Sequence, residues 1–318
     1  MEIISTPTLD VISRAAKELL AGHLVAFPTE TVYGLGADAT NSKAIRRVYS
    51  VKGRPTDHPL IVHISKIEYL DHWSIEIQDY AKKLARDFWP GPMTLILKRS
   101  KLAKDFITGG QNSIGLRVPA HPIAQALLCE FEESGGYGIA APSANKFGAV
   151  SPTTADAVVG EIGDKLDAND FVLDGGQSSI GIESTIIDCT NKDPIVLRPG
   201  AVTSEMIYKL LGVKIKGVAP YSSVRASGMM LTHYSPKAIV KLNEDTKAGD
   251  GFIALADVLT PTGAIRLAAP LNLHGFAQSL YAAFREADLK GLKTIVVIPP
   301  PGSGMAHAIR DRLSKAAG

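Results

Sequence analysis

The chain has 318 residues, 45% of them apolar and 21% charged, with a formal net charge of +2. That length supports a large core and two domains, and the composition is ordinary for a globular protein. A charge so close to zero gives no argument by itself for nucleic acid or anionic membrane, so any basic site has to be local.

The two cysteines, Cys129 and Cys189, have no metal-type spacing; they fit a reducing compartment and are expected in apolar surroundings. The N-terminus carries Glu2 and Asp10 in place of a basic start and an apolar run, so no signal peptide is expected. No apolar run approaches the roughly 20 residues that span a bilayer. These features together predict a cytoplasmic protein with no membrane partner.

Leu9 to Leu20 has helical spacing, with Leu9, Ile12, Ala16 and Leu19 on one face. The apolar run His23 to Phe27 reads as a buried strand, and Pro28-Thr29-Glu30-Thr31-Val32-Tyr33-Gly34-Leu35-Gly36 as a polar loop at its end. In that loop the two glycines are expected to let backbone N–H groups approach a ligand, with Tyr33 as packing. A helix from Ser42 to Ser50, capped by Asn41 or Ser42, precedes a strand at Leu60 to Ile64.

Ile77 to Phe88 is the clearest amphipathic helix, stopped by Pro90-Gly91-Pro92. Strands are expected at Met93 to Leu97 and Ile114 to Val118, a helix at Pro122 to Phe131, a strand at Gly138 to Ala141 and a helix at Thr153 to Ile162. Phe171 to Leu173, Ser184 to Asp188 and Ile195 to Leu197 add strands, and Ser204 to Leu211 adds a helix. Strands follow one another without intervening helices, which argues for a twisted, mixed open sheet flanked by helices rather than a regular doubly wound one.

Periodicity disappears from Gly217 to Pro236, which reads as a linker. Beyond it, strands at Ala238 to Leu242, Phe252 to Ala256 and Thr294 to Ile298, with helices near Phe276 to Ala287 and Met305 to Ser314, predict a small Rossmann-like α/β domain. The division is 1–212, 213–237 as linker or lid, and 238–318.

Several chemistries find no motif. Gly-x-x-x-x-Gly-Lys-Ser/Thr is missing, which removes the P-loop. Gly302-Ser303-Gly304 lies between a strand and a helix but lacks a third glycine, so it is expected to be a tight turn. There is no His-Glu-x-x-His pair and no Gly-x-Ser-x-Gly elbow.

What remains is a set of cations at element ends beside Gly or Pro: Lys52-Gly53-Arg54-Pro55, Arg117, and Arg198-Pro199-Gly200. Cations with rigid neighbours hold their position with less entropy loss than a mobile surface lysine, and an Arg fork grips carboxylate or phosphate. Hydroxyl-bearing turns accompany them: Thr29 and Thr31, Ser113, Ser143 with Asn145, Ser151, and Glu183-Ser184-Thr185. Taken singly, each of these has a structural reading as surface charge or cap, and His63 inside an apolar strand reads as a core histidine.

Jointly they carry a resemblance. PTETVYGLG, KGRP, HPLIVHI, WPGPMTLIL, VPAHP, AAPSAN, SPT, DGG, ESTIID and LRPG occur in the order found in YrdC-like L-threonylcarbamoyl-AMP synthases. The match runs from about Leu9 to Leu211, and the extension beyond it, with the His233-Tyr234-Ser235-Pro236 junction, resembles the long, two-domain form.

The resemblance implies a nucleotidyltransferase that converts L-threonine, bicarbonate or CO2, and ATP into L-threonylcarbamoyl-AMP and diphosphate. Its product would pass to a tRNA threonylcarbamoyl transferase complex, the chain's own contact with tRNA being weak. Thr31, His63, Arg117, Ala141 and Ser184 would surround the threonine; Arg54, His58, Ser113, Ser143, Ser151, Arg198 and Tyr234 would surround ATP. Lys52 and Asn145, with Arg54 and Ser143, would line the reacting phosphate and carbamate, Mg2+ would accompany ATP, and Tyr234 would close over the nucleotide. His58 stands where many relatives carry Asn or Lys.

Two other readings compete. A module for double-stranded RNA or tRNA could use the same cations, against which the near-neutral charge argues. The YrdC-like module of hydrogenase maturation factors uses carbamoyl phosphate, but the acylphosphatase and zinc-finger segments that go with it are missing.

Overall fold

The structure is a computed structural model and describes residues 1–4, 7–213, 215, 224–226, 228 and 233–318. Much of the stretch read as a linker, and most of its serines, lie outside the described residues.

The first part of the chain runs β1 (Glu2–Ile4), α1 (Leu9–Ala21), β2 (Val25–Phe27), β3 (Gly34–Asp38), α2 (Ser42–Lys52), β4 (Ile61–His63), α3 (Leu70–Trp73), α4 (Asp79–Phe88) and β5 (Met93–Lys98). It continues through α5 (Asp105–Thr108), β6 (Ser113–Arg117), α6 (Pro122–Glu133), β7 (Ile139–Ala140), α7 (Ala155–Ile162), β8 (Phe171–Leu173), β9 (Thr185–Asp188), β10 (Ile195–Arg198) and α8 (Ser204–Leu211). The second part holds β11 (Ile239–Leu242), β12 (Gly251–Ile253), β13 (Ile265–Ala268), α9 (Leu273–Leu289), β14 (Thr294–Val297) and α10 (Met305–Ala317).

The first ten strands form one mixed sheet in the order β1-β8-β2-β3-β7-β4-β6-β5-β9-β10. Parallel pairs such as β4 with β6 alternate with antiparallel ones such as β2 with β3 and β5 with β6. Both faces are covered, as β2 makes plain: Val25 and Phe27 belong to a cluster with Leu19, Leu127 and Phe131, while Ala26 between them belongs to a second with Leu35, Val48 and Leu95. The period of two along a strand sends alternate side chains to α1 and α6 on one face and to α2 and α4 on the other.

Local chemistry fixes the helix that feeds the site. The Asn41 side chain accepts from the backbone N–H groups of Lys43 and Ala44, and Gly53 ends α2 at φ 63° in the left-handed region. This sharp stop puts Lys52 on the last turn and Arg54 just beyond it.

Two expectations need correction. The glycines of the opening motif do not belong to its loop: Gly34 and Gly36 lie within β3, paired with Phe27 and Val25. A Cβ on Gly36 would sit 2.8 Å from Ile139 Cγ2 and 2.8 Å from Phe27 Cε1, so this glycine makes room for two side chains packed over the strand. Gly36→Ala is therefore expected to destabilise the fold by about 1–3 kcal/mol through overpacking. Urea unfolding measures this, and an unchanged midpoint would show that the close contact is harmless. Cys189 is buried, whereas Cys129 is exposed and does not sit in the apolar setting expected for it.

The second sheet is wholly parallel, in the order β11-β14-β12-β13. Its edge strand β13 is only partly buried and carries Arg266, which is why no apolar run announced it. Helices α9 and α10 turn one apolar face towards this sheet, and the same cluster takes in Val32, Val150 and Ile182 from the first part of the chain. The two parts thus share a continuous core next to the polar loop at Thr29–Tyr33. Among the described residues no helix is long and apolar enough to cross a membrane.

Candidate active site

Strands β4 and β6 run parallel and end together, with His63 opposite Arg117. The carboxyl ends of parallel strands are where open α/β sheets leave room for ligands, and the loop after β2 folds over these two residues. Thr29 accepts from the backbone N–H groups of Thr31 and Val32, both at 3.2 Å, and its hydroxyl donates to Val32 O at 2.6 Å. The Thr29 proton is thus committed, so in the 2.8 Å hydroxyl pair Thr31 donates to Thr29. Thr29 is turn chemistry; Thr31 is what the turn presents.

Arg117 donates to Thr31 Oγ1 at 2.9 Å, to Glu30 Oε1 at 2.7 Å and to Gly91 O at 3.3 Å. Glu30 accepts from the Ala120 N–H with its other oxygen, at 3.0 Å. The guanidinium is therefore fixed, with three of its five N–H groups engaged among the described residues. Nδ1 of His63 is buried without a partner, and burial reinforced by Arg117 brings the imidazole pKa down to about 3. His63 is thus neutral at ordinary pH and holds an unused ring nitrogen.

The second half of the site is built on the turn at 142–145. Lys52 donates from Nζ to Ser143 O at 2.5 Å and to Asn145 O. Burial, and next Arg54, depress its ammonium well below the ordinary lysine range. Asn145 donates from Nδ2 to Lys146 O and Ala149 O, each at 2.8 Å, leaving Oδ1 buried with no partner. Arg54 donates to Pro59 O at 2.9 Å and lies over the Phe147 ring at 5.7 Å; burial lowers its pKa to about 10, so it stays a cation. Arg198, the last residue of β10, donates to Ser184 O at 3.0 Å and Ser184 Oγ at 3.2 Å.

Tyr234 closes the far side. Its φ of 64° lies in the left-handed region, uncommon for a side chain of this size. Its buried hydroxyl has no partner, and a Cβ on Gly228 would come within 2.2 Å of it. Only glycine at 228 lets the backbone pass so near the phenol.

These groups enclose a cavity of about 60 Å³. Of the residues singled out in the sequence, Thr31, Arg54, His63, Arg117, Ala141, Ser143, Ser184, Arg198 and Tyr234 line it. Lys52 and Asn145 stand behind its wall, and Ser151 reaches it through Glu183, to which it donates at 2.6 Å. His58 lies further out, edge-on to Phe147 at 5.2 Å. Ser113 opens β6 at the opposite end from Arg117, beside Gln111 and Arg225. Glu183 and His233 also line the cavity and were not picked out as site residues. Glu183 had a signal, a carboxylate inside the hydroxyl-bearing ESTIID turn; His233 had only its place beside Tyr234.

A larger open groove of about 1570 Å³ runs past Lys98, Arg99, Lys101 and Lys104 to Ser113. Lys98 is paired with Glu76 and Arg99 with Asp105. The smaller cavity is the better candidate, because buried cations, hydroxyls and an imidazole converge there.

A divalent metal finds few committed ligands. Among the described residues no group of three or more His, Cys, Asp or Glu is arranged to hold one. Glu30 and Glu183 are occupied by arginines. The unpartnered Asn145 Oδ1 is a hard oxygen of the kind Mg2+ takes when phosphates and water supply the other ligands. One such oxygen fits an ion whose other ligands are phosphate and water, and no more than that.

The buried histidines give the fold a pH dependence. His63 and His233 are both brought down to about 3, by burial first and by neighbouring arginines. The unfolded chain therefore binds more protons than the folded one between about pH 3 and 6.5, and stability falls as pH falls through that window. Acidification from about pH 6.5 to 5.5 should remove about 1 kcal/mol per histidine. His63→Asn is expected to lessen the loss seen in urea titrations at the two pH values; an equal loss in variant and wild type would contradict it.

Comparison with known proteins gives concordant results. A family model described as Telomere recombination (Sua5, YciO, YrdC) matches residues 17–200. A second, the C-terminal domain of threonylcarbamoyl-AMP synthase, matches residues 202–318. The threonylcarbamoyl-AMP synthase of Pyrococcus abyssi is 37% identical over 331 residues, covering 96% of this chain and 93% of its own. That of Bacillus subtilis is 37% identical over 328 residues, with the same coverages of 96% and 93%. The crystal structure of P. abyssi Sua5 complexed with L-threonine superposes with a TM-score of 0.89 at 35% identity, over 100% of this chain and 98% of that one.

Proposed function

The chain belongs to the Sua5/YciO/YrdC family in its two-domain form, and we propose that it joins L-threonine, bicarbonate or CO2, and ATP into L-threonylcarbamoyl-AMP with release of diphosphate. The observation that carries this reading is the convergence on one cavity of a fixed Arg fork, a neutral imidazole, two further arginines and the Ser143 and Ser184 hydroxyls. One side suits an amino acid, the other a polyphosphate.

On the amino-acid side, Arg117 has N–H groups left to clamp the threonine carboxylate, and Thr31 and His63 supply hydroxyl and ring-nitrogen contacts. On the nucleotide side, Arg54 and Arg198 would offset phosphate charge, with the Ser143 turn held in place from behind by Lys52. The neutral threonine amine adds to CO2 and gives up a proton to water to become a carbamate, bicarbonate being first dehydrated to CO2. A carbamate oxygen then attacks the α-phosphorus, and diphosphate leaves in line with the new bond. No enzyme nucleophile takes part, in keeping with a site whose contribution is positioning and charge. Mg2+, when bound with ATP near Asn145, would screen the phosphate oxygens.

The product is a mixed anhydride suited to carbamoyl transfer, and we assign its use to a tRNA threonylcarbamoyl transferase acting next. Labelled bicarbonate tests the reading: label should enter a nucleotide product only when L-threonine and ATP are both present. An unlabelled adenylate would refute it.

A further inference from the structure

Glu183 is the one carboxylate among the described residues that line the cavity. A bare carboxylate there would repel a polyanion. Both of its oxygens are engaged: Ser151 donates to Oε1 at 2.6 Å, Tyr281 to Oε2 at 3.0 Å, and Arg312 to Oε2 from Nε at 2.7 Å. Tyr281 belongs to α9 and Arg312 to α10, so both come from the second domain. Arg312 is fully buried, reaches the Pro199 carbonyl at 3.0 Å beside Arg198, and lies over the Tyr234 ring at 5.3 Å. Tyr281 in turn stacks on Tyr234, with ring centroids 5.8 Å apart. Burial works against the Glu183 charge, yet Arg312, Arg198 and Ser151 hold its pKa down at about 2. The carboxylate is therefore present and has to be neutralised by its partners.

We propose that Arg312 and Tyr281 are positioning residues for the nucleotide, through which the second domain completes the catalytic site. They cancel and orient the Glu183 charge, fix the Ser151 hydroxyl, and set the Tyr234 ring and the Arg198-Pro199 turn. The second domain then contributes to ATP recognition without touching ATP. This rests on the proposed reaction, since it assigns the Arg198 side of the cavity to the polyphosphate.

The test uses the full chain. Wild-type diphosphate release dependent on L-threonine is established first; its failure would sink the reaction and leave the inference without a basis. Given that activity, Tyr281→Phe keeps the stacking and removes the hydroxyl, and Arg312→Met removes the charge. Each is expected to raise the KM for ATP about tenfold while the Kd for L-threonine, measured by calorimetry, changes less than twofold. Because Arg312→Met leaves Glu183 buried and unpaired, it is expected to unfold more readily. The double variant Arg312→Met with Glu183→Gln should regain stability but only part of the ATP affinity: no carboxylate is left to repel the nucleotide, while the Tyr234 ring and the Arg198-Pro199 turn still lack Arg312. An unchanged KM for ATP in folded Tyr281→Phe would overturn the proposal, as would a KM that returns fully to the wild-type value in the double variant.

Discussion

Arg117→Lys should raise the KM for L-threonine about tenfold to a hundredfold while the protein stays folded. The lysine keeps a positive charge near Glu30, whose carboxylate would otherwise be stranded at 9% side-chain exposure. Removing that charge altogether would destabilise by about 3–5 kcal/mol and confuse the readout. The fork, however, is lost. An ammonium cannot hold Thr31, Glu30 and Gly91 in one plane and still present two N–H groups to a carboxylate. Losing a charge-assisted hydrogen bond costs about 1.5–3 kcal/mol, which corresponds to the stated range. Steady-state kinetics with L-threonine varied at saturating ATP measures it, and a KM within twofold of wild type would remove Arg117 from the amino-acid site.

Arg54→Ala is expected to abolish diphosphate release, lowering turnover by about a thousandfold, the scale of losing a charge-stabilising donor in a water-poor site. Arg54 is buried to 8% exposure, remains cationic, and is aimed by the Pro59 carbonyl and the Phe147 ring. It is already desolvated before a phosphate arrives, so little reorganisation remains to be done. L-threonine binding, on the Arg117 side, should be untouched. Near-normal turnover would end its assignment to the phosphates.

Much of this was legible in the chain, and the exceptions are informative. The mixed sheet was readable because its strands are short apolar runs separated by turn residues, and α2 because Asn41 and Gly53 punctuate it. Strand β3 was hidden: Gly34-Leu35-Gly36-Ala37-Asp38 carries two glycines, which answer to tertiary crowding, by Ala141 at Gly34 and by Phe27 and Ile139 at Gly36. Arg117 meets His63 because parallel strands β4 and β6 finish side by side, which strand pairing decides and composition does not. Lys52 was legible as part of its signature, but not the use the fold makes of two of its donors, which hold the Ser143 and Asn145 carbonyls. Arg312 and Tyr281 could not be found, since nothing local marks a helix residue whose partner is Glu183, 129 and 98 positions away.

The most direct test of the account is diphosphate release by the full chain with ATP, L-threonine and bicarbonate, each omitted in turn. Release should require all three and fall to background when either L-threonine or bicarbonate is withheld. Release that persists without L-threonine would make the chain a simple ATP hydrolase and contradict the reading of the Arg117 side of the cavity.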